Sequence, residues 1–203
     1  MNWLRLRRIS LASVVVAGSV GLACGAYAGY LQLSDNFHPV IEGELYRSAQ
    51  PTADELAAYV RAHRIRTIIN LRGTHPGTPW YDDEVAMADG LGVEHVDFGL
   101  SASKVVSAQQ IDQLVTVMES APRPILVHCQ SGADRSGLVS ALFVRRIAGM
   151  DERTAQAQLS FYYGHVAIPV ISAAYAMDQS WQNAEARDRK HARTVAFAAS
   201  LLH

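Results

Sequence analysis

The sequence predicts an α/β fold in which a mostly parallel central sheet of about four to five strands is flanked by helices and preceded by an apolar N-terminal helix. Two observations lead to this prediction. Short runs rich in β-branched residues alternate with segments of helical periodicity, which is typical of parallel sheets covered by helices. An uncharged stretch, residues 9–30, precedes them all. With 203 residues, 49% of them hydrophobic, the chain has enough material for one core and one appendage.

The N-terminal segment, residues 1–34, is predicted to be a signal-anchor or a signal peptide. Arg5, Arg7 and Arg8 precede the uncharged residues 9–30, a length sufficient for a helix to cross a membrane. Ala26-Tyr27-Ala28 has the small-x-small pattern of a signal-peptidase site. Because basic flanks tend to stay in the cytoplasm, we expect the remainder of the chain outside it, on the periplasmic side of a bacterium, either anchored or exported after cleavage.

The first half of the body contains two predicted strands and two predicted helices. A short strand is expected around Leu45-Tyr46, and a buried strand over Thr67-Ile68-Ile69. Thr52, with Glu55 three residues later, has the pattern of a capping box, so a helix should begin there. A loop rich in proline and glycine follows at residues 74–80, and residues 81–90 suit a helix that ends at Gly90.

The second half continues the alternation. Residues 92–100 contain a third strand, Ser107 begins the next helix, and Ile125-Leu126-Val127 belongs to a fourth strand. A further helix is expected from Leu138 to Ile147. The predicted globular domain covers residues 35–184, and the charged tail at residues 185–203 is expected to form a surface helix.

Charge and cysteine content exclude several classes of protein. The net charge is −1, and three arginines precede the first acidic residue, Asp35, so the body is net acidic. Such a body is not expected to bind nucleic acid, because that affinity comes mainly from clustered lysine and arginine. Cys24 and Cys129 are the only cysteines, and Cys24 lies in the apolar segment, so the body has no internal disulfide. The histidines lack metal-ligand spacing, and no metal is expected.

The stretch VHCQSGADRSG, residues 127–137, predicts an anion site. A predicted strand leads into a tight loop that opens a helix, and ligands bind beyond the carboxyl ends of parallel strands. Backbone N–H groups at such a helix start form a cradle for phosphate, so the predicted substrate-binding residues are Gln130, Ser131, Gly132 and Ala133. Five residues separate Cys129 from Arg135, which lets the sulfur and the guanidinium address the same tetrahedral anion.

The side chains of this loop predict a reaction. Positive partial charges around Cys129 favour its thiolate, which would attack phosphorus and form a phosphocysteine. Arg135 offers a planar fork that matches two phosphate oxygens. Ser136 is expected to hydrogen-bond the sulfur and ease its departure in the second step, and His128 to orient the loop from behind. Arg47 and Arg72 end or follow predicted strands, where they would either line the pocket or pair with carboxylates.

The run from His128 to Gly137 resembles the signature of the cysteine-dependent protein tyrosine and dual-specificity phosphatases. The stretches LYRSAQP and TIINLRG are similar to the small atypical dual-specificity branch, and the resemblance covers roughly residues 37–165. It implies Cys129 as nucleophile, Arg135 as phosphate clamp and Ser136 as the hydroxyl that aids turnover, with no metal or other cofactor. Residues 35–184 would then be the phosphatase domain.

The general acid that protonates the leaving oxygen has two candidates. In many relatives a carboxylate from a separate upstream loop does this, and Asp97 stands 32 residues before Cys129, although inside a predicted strand. Asp134, next to Arg135, is the preferred candidate, because some branches of the superfamily with Asp-Arg at this point are thought to use that aspartate. A third possibility is that neither Asp97 nor Asp134 is the general acid.

The loop composition also bears on the substrate. No lysine or arginine stands between Cys129 and Arg135, and each additional phosphate brings close to two charges, so a singly phosphorylated protein or small phosphomonoester is favoured. Basic residues outside the loop, including Lys104, would add charge. A lipid, inositol or cell-envelope phosphate hydrolase is the alternative, motivated by the predicted membrane segment. A non-catalytic phosphate-binding pseudophosphatase is a second alternative, left open by the unassigned acid.

Overall fold

The fold is described from a computed structural model, which describes residues 3–169 and 171–200. The chain divides into two compact units, Met1–Ser34 and Asp35–His203. The division falls at the predicted end of the N-terminal segment. Residues 1, 2 and 201–203, which belong to that segment and to the predicted tail, lie outside the described residues.

The N-terminal unit contains one long helix, α1, which runs over Trp3–Leu33. Within it, Ser13–Leu31 is long and apolar enough to cross a membrane, judged by length and composition. A signal sequence near an N-terminus has the same properties, so the helix accommodates both predicted alternatives.

The body is built on a five-stranded sheet with the order β1-β2-β5-β3-β4. The strands are β1 (His38–Ile41), β2 (Leu45–Ser48), β3 (Thr67–Asn70), β4 (Glu94–Asp97) and β5 (Ile125–His128). All neighbouring pairs are parallel except β1 with β2, which confirms the mostly parallel sheet. β1 is not among the predicted strands. Its Pro39 suits an edge strand, where one side of the backbone has no ladder to join.

Helices cover both faces of this sheet. They are α2 (Ala53–His63), α3 (Pro79–Leu91), α4 (Ala108–Ser120), α5 (Asp134–Leu142), α6 (Glu152–Gln156) and α7 (Tyr175–Ser200). Side chains of β5 alternate between two hydrophobic clusters: Ile125 and Val127 pack in the cluster with α4, α5 and α7, and Leu126 packs in the cluster with α2 and α3. Burial on both faces holds β5 rigidly at the centre of the sheet.

The helix boundaries confirm some predictions and correct others. Thr52 and Ser107 both cap their helices through reciprocal capping boxes with Glu55 and Gln110. In contrast, α3 begins earlier, with Pro79 in its first turn, and the left-handed residue that ends it is Gly92 rather than Gly90.

The helix after the signature loop begins at Asp134 rather than Leu138, because the chain turns helical as soon as the loop closes. It continues as a π-helical turn over Phe143–Ile147. The helix predicted for the tail begins at Tyr175, and it buries Trp181, Ala184 and Glu185 across the expected boundary between residues 184 and 185. Sequence periodicity detects the part of a helix that packs against the core. The helical backbone itself can begin and end at other residues, so the predicted boundaries differ from the observed ones.

Candidate active site

The carboxyl ends of the parallel strands meet in one row. In the register of the sheet Ser48 pairs with His128, Asn70 pairs with the same His128, and Asp97 pairs with Asn70. Cys129 follows directly on the central strand, β5, and therefore emerges at the middle of this edge. The predicted nucleophile thus lies where open parallel sheets bind their ligands.

The carbonyl groups of the loop after Cys129 all point away from its centre. The carbonyl of Gln130 accepts from the backbone N–H of Gln50 at 3.4 Å, and that of Ser131 accepts from the Asn36 side chain at 2.9 Å. The carbonyls of Gly132 and Ala133 both accept from Nη2 of Arg47, at 2.9 and 2.8 Å. Each partner lies outside the loop.

These bonds orient the amide groups. Across a planar trans peptide the N–H points opposite to the carbonyl, so the N–H groups of Ser131, Gly132, Ala133 and Asp134 turn toward the inside of the loop. Inside the described ranges, none of these four amides donates to a protein acceptor in the loop itself. The result is a concave ring of donors at the N-terminus of α5, which suits a tetrahedral oxyanion. Gln130, the remaining predicted binding residue, precedes these four amides in the loop, and a role for its own amide stays a prediction.

The side chains of Cys129 and Ser136, at the two ends of the loop, lie together. Sγ of Cys129 is 3.5 Å from Oγ of Ser136, which is a normal distance for a hydroxyl donating to sulfur. Both residues are buried, with 1% and 0% of their surface exposed. The structure therefore brings the predicted nucleophile and the predicted turnover hydroxyl into contact.

Arg135 is held by the loops that follow β3 and β4. Its Nη1 donates to the carbonyls of Leu71 at 3.1 Å and Leu100 at 3.3 Å. Its Nε is buried and has no hydrogen-bond partner in the part of the chain that the structure describes. A buried guanidinium N–H without an acceptor is costly, so this donor is available for an anion.

Arg47 lies behind the loop and is fully buried. Besides the loop carbonyls, it donates to the carbonyl of Gln158 at 2.8 Å and stacks over the Tyr163 ring at 4.1 Å. Burial lowers the pKa of Arg47 to about 10, which leaves it charged at neutral pH. Arg47 has a structural role, which is one of its two predicted alternatives, but its hydrogen-bond acceptors among the described residues are carbonyl oxygens and not the expected carboxylates.

His128 belongs to a buried cluster around Glu84 of α3. Oε1 of Glu84 lies 3.1 Å from Nε2 of His128 and 2.7 Å from Nε2 of His95, and Gln50 donates to Oε2. Burial by itself raises the pKa of Glu84, but the hydrogen bonds from His128, His95 and Gln50 outweigh it and lower that pKa to about 2. The ionised carboxylate holds the His128 ring, whose Nδ1 has no hydrogen-bond partner among the described residues, so the orienting of the loop by His128 stays a prediction.

The two candidate acids have different surroundings. Both oxygens of Asp97 are occupied, since Oδ1 accepts from the Asn70 side chain at 2.8 Å and Oδ2 from the hydroxyl of Tyr81 at 2.5 Å. Asp134 forms a hydrogen bond with His165: Oδ1 of Asp134 lies 2.7 Å from Nδ1 of the His165 ring. Oδ2 of Asp134 makes no hydrogen bond to any described residue, and a quarter of the side chain is exposed. The geometry leaves Asp134 freer to meet a substrate than Asp97.

Arg72 contributes a second cation at the rim. Its guanidinium stacks over the Trp80 ring at 3.5 Å and donates to the Gln50 side chain at 3.0 Å. Burial and the nearby positive charge of Arg135 lower the pKa of Arg72. Of the two alternatives for Arg72, lining the pocket is the one that this position favours.

Three residues of the site were not identified from the sequence as part of it: Asn36, Glu84 and His165. Asn36 is buried with φ of 46°, a backbone region in which asparagine is enriched, and it holds both the Ser131 and Tyr163 carbonyls. Glu84 follows two exposed aspartates, and only its place on the inner face of α3 distinguishes it. Their roles arise from contacts between elements far apart in the chain.

Comparisons with known proteins agree with this architecture. A family model described as DSP-PTPase phosphatase fused to NAD+ kinase matches residues 32–168. The dual specificity protein phosphatase TpbA of Pseudomonas aeruginosa is 29% identical over 113 residues, which are 55% of this chain and 47% of TpbA. The chain thus spans about half the length of this curated relative.

Solved structures share the fold. A crystal structure of a P. aeruginosa TpbA variant in complex with pTyr matches with a TM-score of 0.53 and 21% identity, over 75% of this chain and 91% of that one. The core catalytic domain of the PP-IP phosphatase SIW14 from S. cerevisiae, in complex with citrate, matches with a TM-score of 0.56 and 17% identity, over 76% and 93%. Because the family model covers more than half of the sequence, the chain belongs to the family of DSP-PTPase phosphatases described as fused to NAD+ kinase, in the small atypical dual-specificity branch.

Proposed function

We propose that the chain hydrolyses phosphate monoesters of the phosphotyrosine or dual-specificity type through a phosphocysteine intermediate. The observation that carries this proposal is the loop at residues 129–136, whose carbonyls bond to partners outside it and whose first residue is the buried Cys129. This arrangement stabilises both a bound phosphate and the thiolate that attacks it. Its substrates would be phosphorylated proteins or small phosphomonoesters.

The geometry supports a two-step reaction. In the first step Sγ of Cys129 attacks phosphorus, the ester P–O bond breaks, and an acid gives the leaving oxygen its proton. Arg135 and the loop amides bind the equatorial oxygens, where negative charge spreads. In the second step water attacks phosphorus and the S–P bond breaks. Ser136 donates to the departing sulfur, which lowers the cost of releasing a thiolate.

The test of this proposal is hydrolysis of a phosphotyrosine peptide by the purified chain and its loss in Cys129→Ser. The serine hydroxyl is a far weaker nucleophile at neutral pH, so turnover should fall to background, by about 10⁵-fold. Iodoacetate should inactivate the wild type near neutral pH, and vanadate should protect it. Cys24→Ser is the matched control and should keep full turnover. Hydrolysis that survives Cys129→Ser would rule out a phosphocysteine.

A lipid, inositol or cell-envelope phosphate is the second candidate substrate class. Arg72 favours it, because this guanidinium stands beside Arg135 outside the loop and would meet a second phosphate or a neighbouring anionic group. The comparison of a phosphotyrosine peptide with a phosphoinositide, in wild type and in Arg72→Gln, separates the two classes. Selective loss on the phosphoinositide would favour the second class.

We also propose that the body works outside the cytoplasm. The supporting features are α1, whose Ser13–Leu31 segment is apolar enough to span a membrane, and the arginines that precede it. The body would be anchored by residues 9–30 or exported after cleavage. In bacterial cells whose outer membrane has been permeabilised and whose inner membrane is intact, an added protease should digest the body. A body that stays protected would contradict this location.

A further inference from the structure

His165 lies between two carboxylates. Its Nδ1 is 2.7 Å from Oδ1 of Asp134, and its Nε2 is 2.8 Å from Oδ2 of Asp178. The ring is buried, with 5% of the residue exposed. Asp134 begins α5 beside Arg135, and Asp178 lies in the first turn of α7. The three side chains therefore form a line that runs from the signature loop to the C-terminal helix.

The number of protons in this line follows from its chemistry. An ionised carboxylate only accepts hydrogen bonds, and a neutral imidazole has a single N–H to donate. Two short bonds from one ring to two carboxylates therefore need an additional proton, carried either by the ring or by a carboxyl group. The line stores one proton that can move along the bond between Nδ1 and Oδ1.

We propose that His165 is the proton reservoir of Asp134: Asp178 holds the ring as an imidazolium, and Asp134 delivers to the leaving oxygen a proton that it receives from Nδ1. This inference rests on the proposed function and assigns Asp134 as the acid. Asp134 is then the group that meets the substrate, while His165 and Asp178 are positioning residues that act through it.

The proton balance closes over the two steps. In the first step the ester P–O bond breaks, Nδ1 of His165 passes its proton to the Asp134 carboxylate, and Asp134 passes a proton to the leaving oxygen, so His165 ends the step neutral and Asp134 ends it ionised. In the second step the attacking water gives a proton to Asp134, which returns it to Nδ1 of His165 as the S–P bond breaks. The cluster ends in its starting state, and Cys129 leaves as a thiolate.

The surroundings favour the charged ring. Burial by itself lowers the pKa of His165, but the hydrogen bonds to Asp134 and Asp178 and their negative charges outweigh it, so the pKa lies above the usual value. Asp134 of α5 and Asp178 of α7 are the charged groups that face the ring, and Arg47 of β2 interacts with Asp134 from behind the loop. The two short contacts and the direction of this shift both favour the protonated ring.

The experiment compares His165→Gln, Asp178→Asn and Asp134→Asn on two aryl phosphates, one with a poor leaving group and one with a very acidic leaving group. For the poor leaving group we expect kcat to fall about 10²-fold in Asp134→Asn and about tenfold or more in His165→Gln, with little change for the acidic one. The limb of the kcat–pH profile at high pH should move to lower pH in Asp178→Asn. His191→Gln, an exposed histidine on α7, is the matched control and should retain both activities.

A double variant separates a relay from a structural role. If His165 acts only through Asp134, His165→Gln should cause no further loss in an Asp134→Asn background. Losses that multiply, or a fall that is equal on both esters, would overturn the proposal. Vanadate binding and the urea unfolding midpoint show whether each variant keeps a folded loop, and Asp178→Asn gives a second test if His165→Gln does not fold.

Nitrogen-15 NMR of the histidine rings gives a readout that does not depend on turnover. Both ring nitrogens of His165 should carry protons at neutral pH, and Asp178→Asn should shift the loss of one proton to lower pH. A neutral ring at pH 7 would overturn the proposal even in an active enzyme. If the wild type hydrolyses no ester, the proposed function fails, and the NMR result alone decides whether the reservoir exists.

Discussion

At the scale of single residues, Gly132 decides whether the loop can close. Its φ is 70°, and a Cβ built there would lie 2.6 Å from the backbone nitrogen of Ala49 and 2.7 Å from the carbonyl carbon of Ser48. Both neighbours are backbone atoms at the end of β2, so they cannot turn aside as a side chain would. Glycine is therefore required by the close approach as well as by the left-handed conformation.

We predict that Gly132→Ala lowers kcat/KM for a phosphotyrosine peptide by about 10²-fold, because the loop must move and its amides lose their alignment. Gly43→Ala is the matched control. Gly43 has a similar φ of 76° but nothing within 4 Å of a built Cβ, so this change should cost about 1 kcal/mol of unfolding free energy and leave turnover intact. Steady-state kinetics and urea unfolding measure both. Equal losses of kcat/KM in the two variants would show that the left-handed backbone, and not the close approach to β2, causes the loss at Gly132.

At the scale of elements, α3 reaches into the site through one buried side chain. Glu84 lies on the inner face of α3 and accepts from Gln50, His95 and His128, which belong to three other segments of the chain. A helix that the sequence presents as an ordinary covering element thus supports the histidine behind the nucleophile. An ionised carboxylate with several donors is stable in the interior, whereas removing its charge leaves those donors poorly satisfied.

We predict that Glu84→Gln lowers the unfolding free energy by about 2 kcal/mol at pH 7 and by less at pH 3. The pKa of Glu84 is about 2 in the folded chain and has its ordinary value of 4.5 in the unfolded chain, so the contribution of its charge is present above pH 4.5 and disappears as the pH falls toward 2. Asp83→Asn changes the exposed neighbouring acid and serves as control. Urea unfolding at both pH values measures the difference in unfolding free energy between the wild type and Glu84→Gln. A difference that stays the same at both pH values would contradict a stabilising role for the Glu84 charge.

At the scale of the whole molecule, the catalytic machinery lies in one unit. Asp35–His203 is compact by itself, and the residues that hold the loop, from Asn36 to Asp178, all belong to it. The proposed membrane attachment belongs to α1, while the candidate site belongs to residues after it. Removal of α1 should therefore change membrane attachment without changing turnover.

We predict that residues 35–203 alone hydrolyse a phosphotyrosine peptide with kcat/KM within about twofold of the full chain, because no element of the site is removed. Full chain with α1 uncut should stay with the membrane fraction after alkaline washing, and residues 35–203 should not. The comparison needs only fractionation and steady-state kinetics. A large loss of turnover on removal of residues 1–34 would show that the N-terminal unit takes part in catalysis.

The sequence by itself determined the alternation of strands and helices, the capping boxes at Thr52 and Ser107, and the place of Cys129 after a buried strand, because each depends on residues close together in the chain. It also identified the signature loop, whose spacing is local. Only the tertiary structure decided that Arg47 supports the loop from behind, that Glu84 holds His128, and that His165 joins Asp134 to Asp178. These contacts join residues between 13 and 86 positions apart. Burial and partners at such separations are properties of the packed chain, which no local pattern encodes.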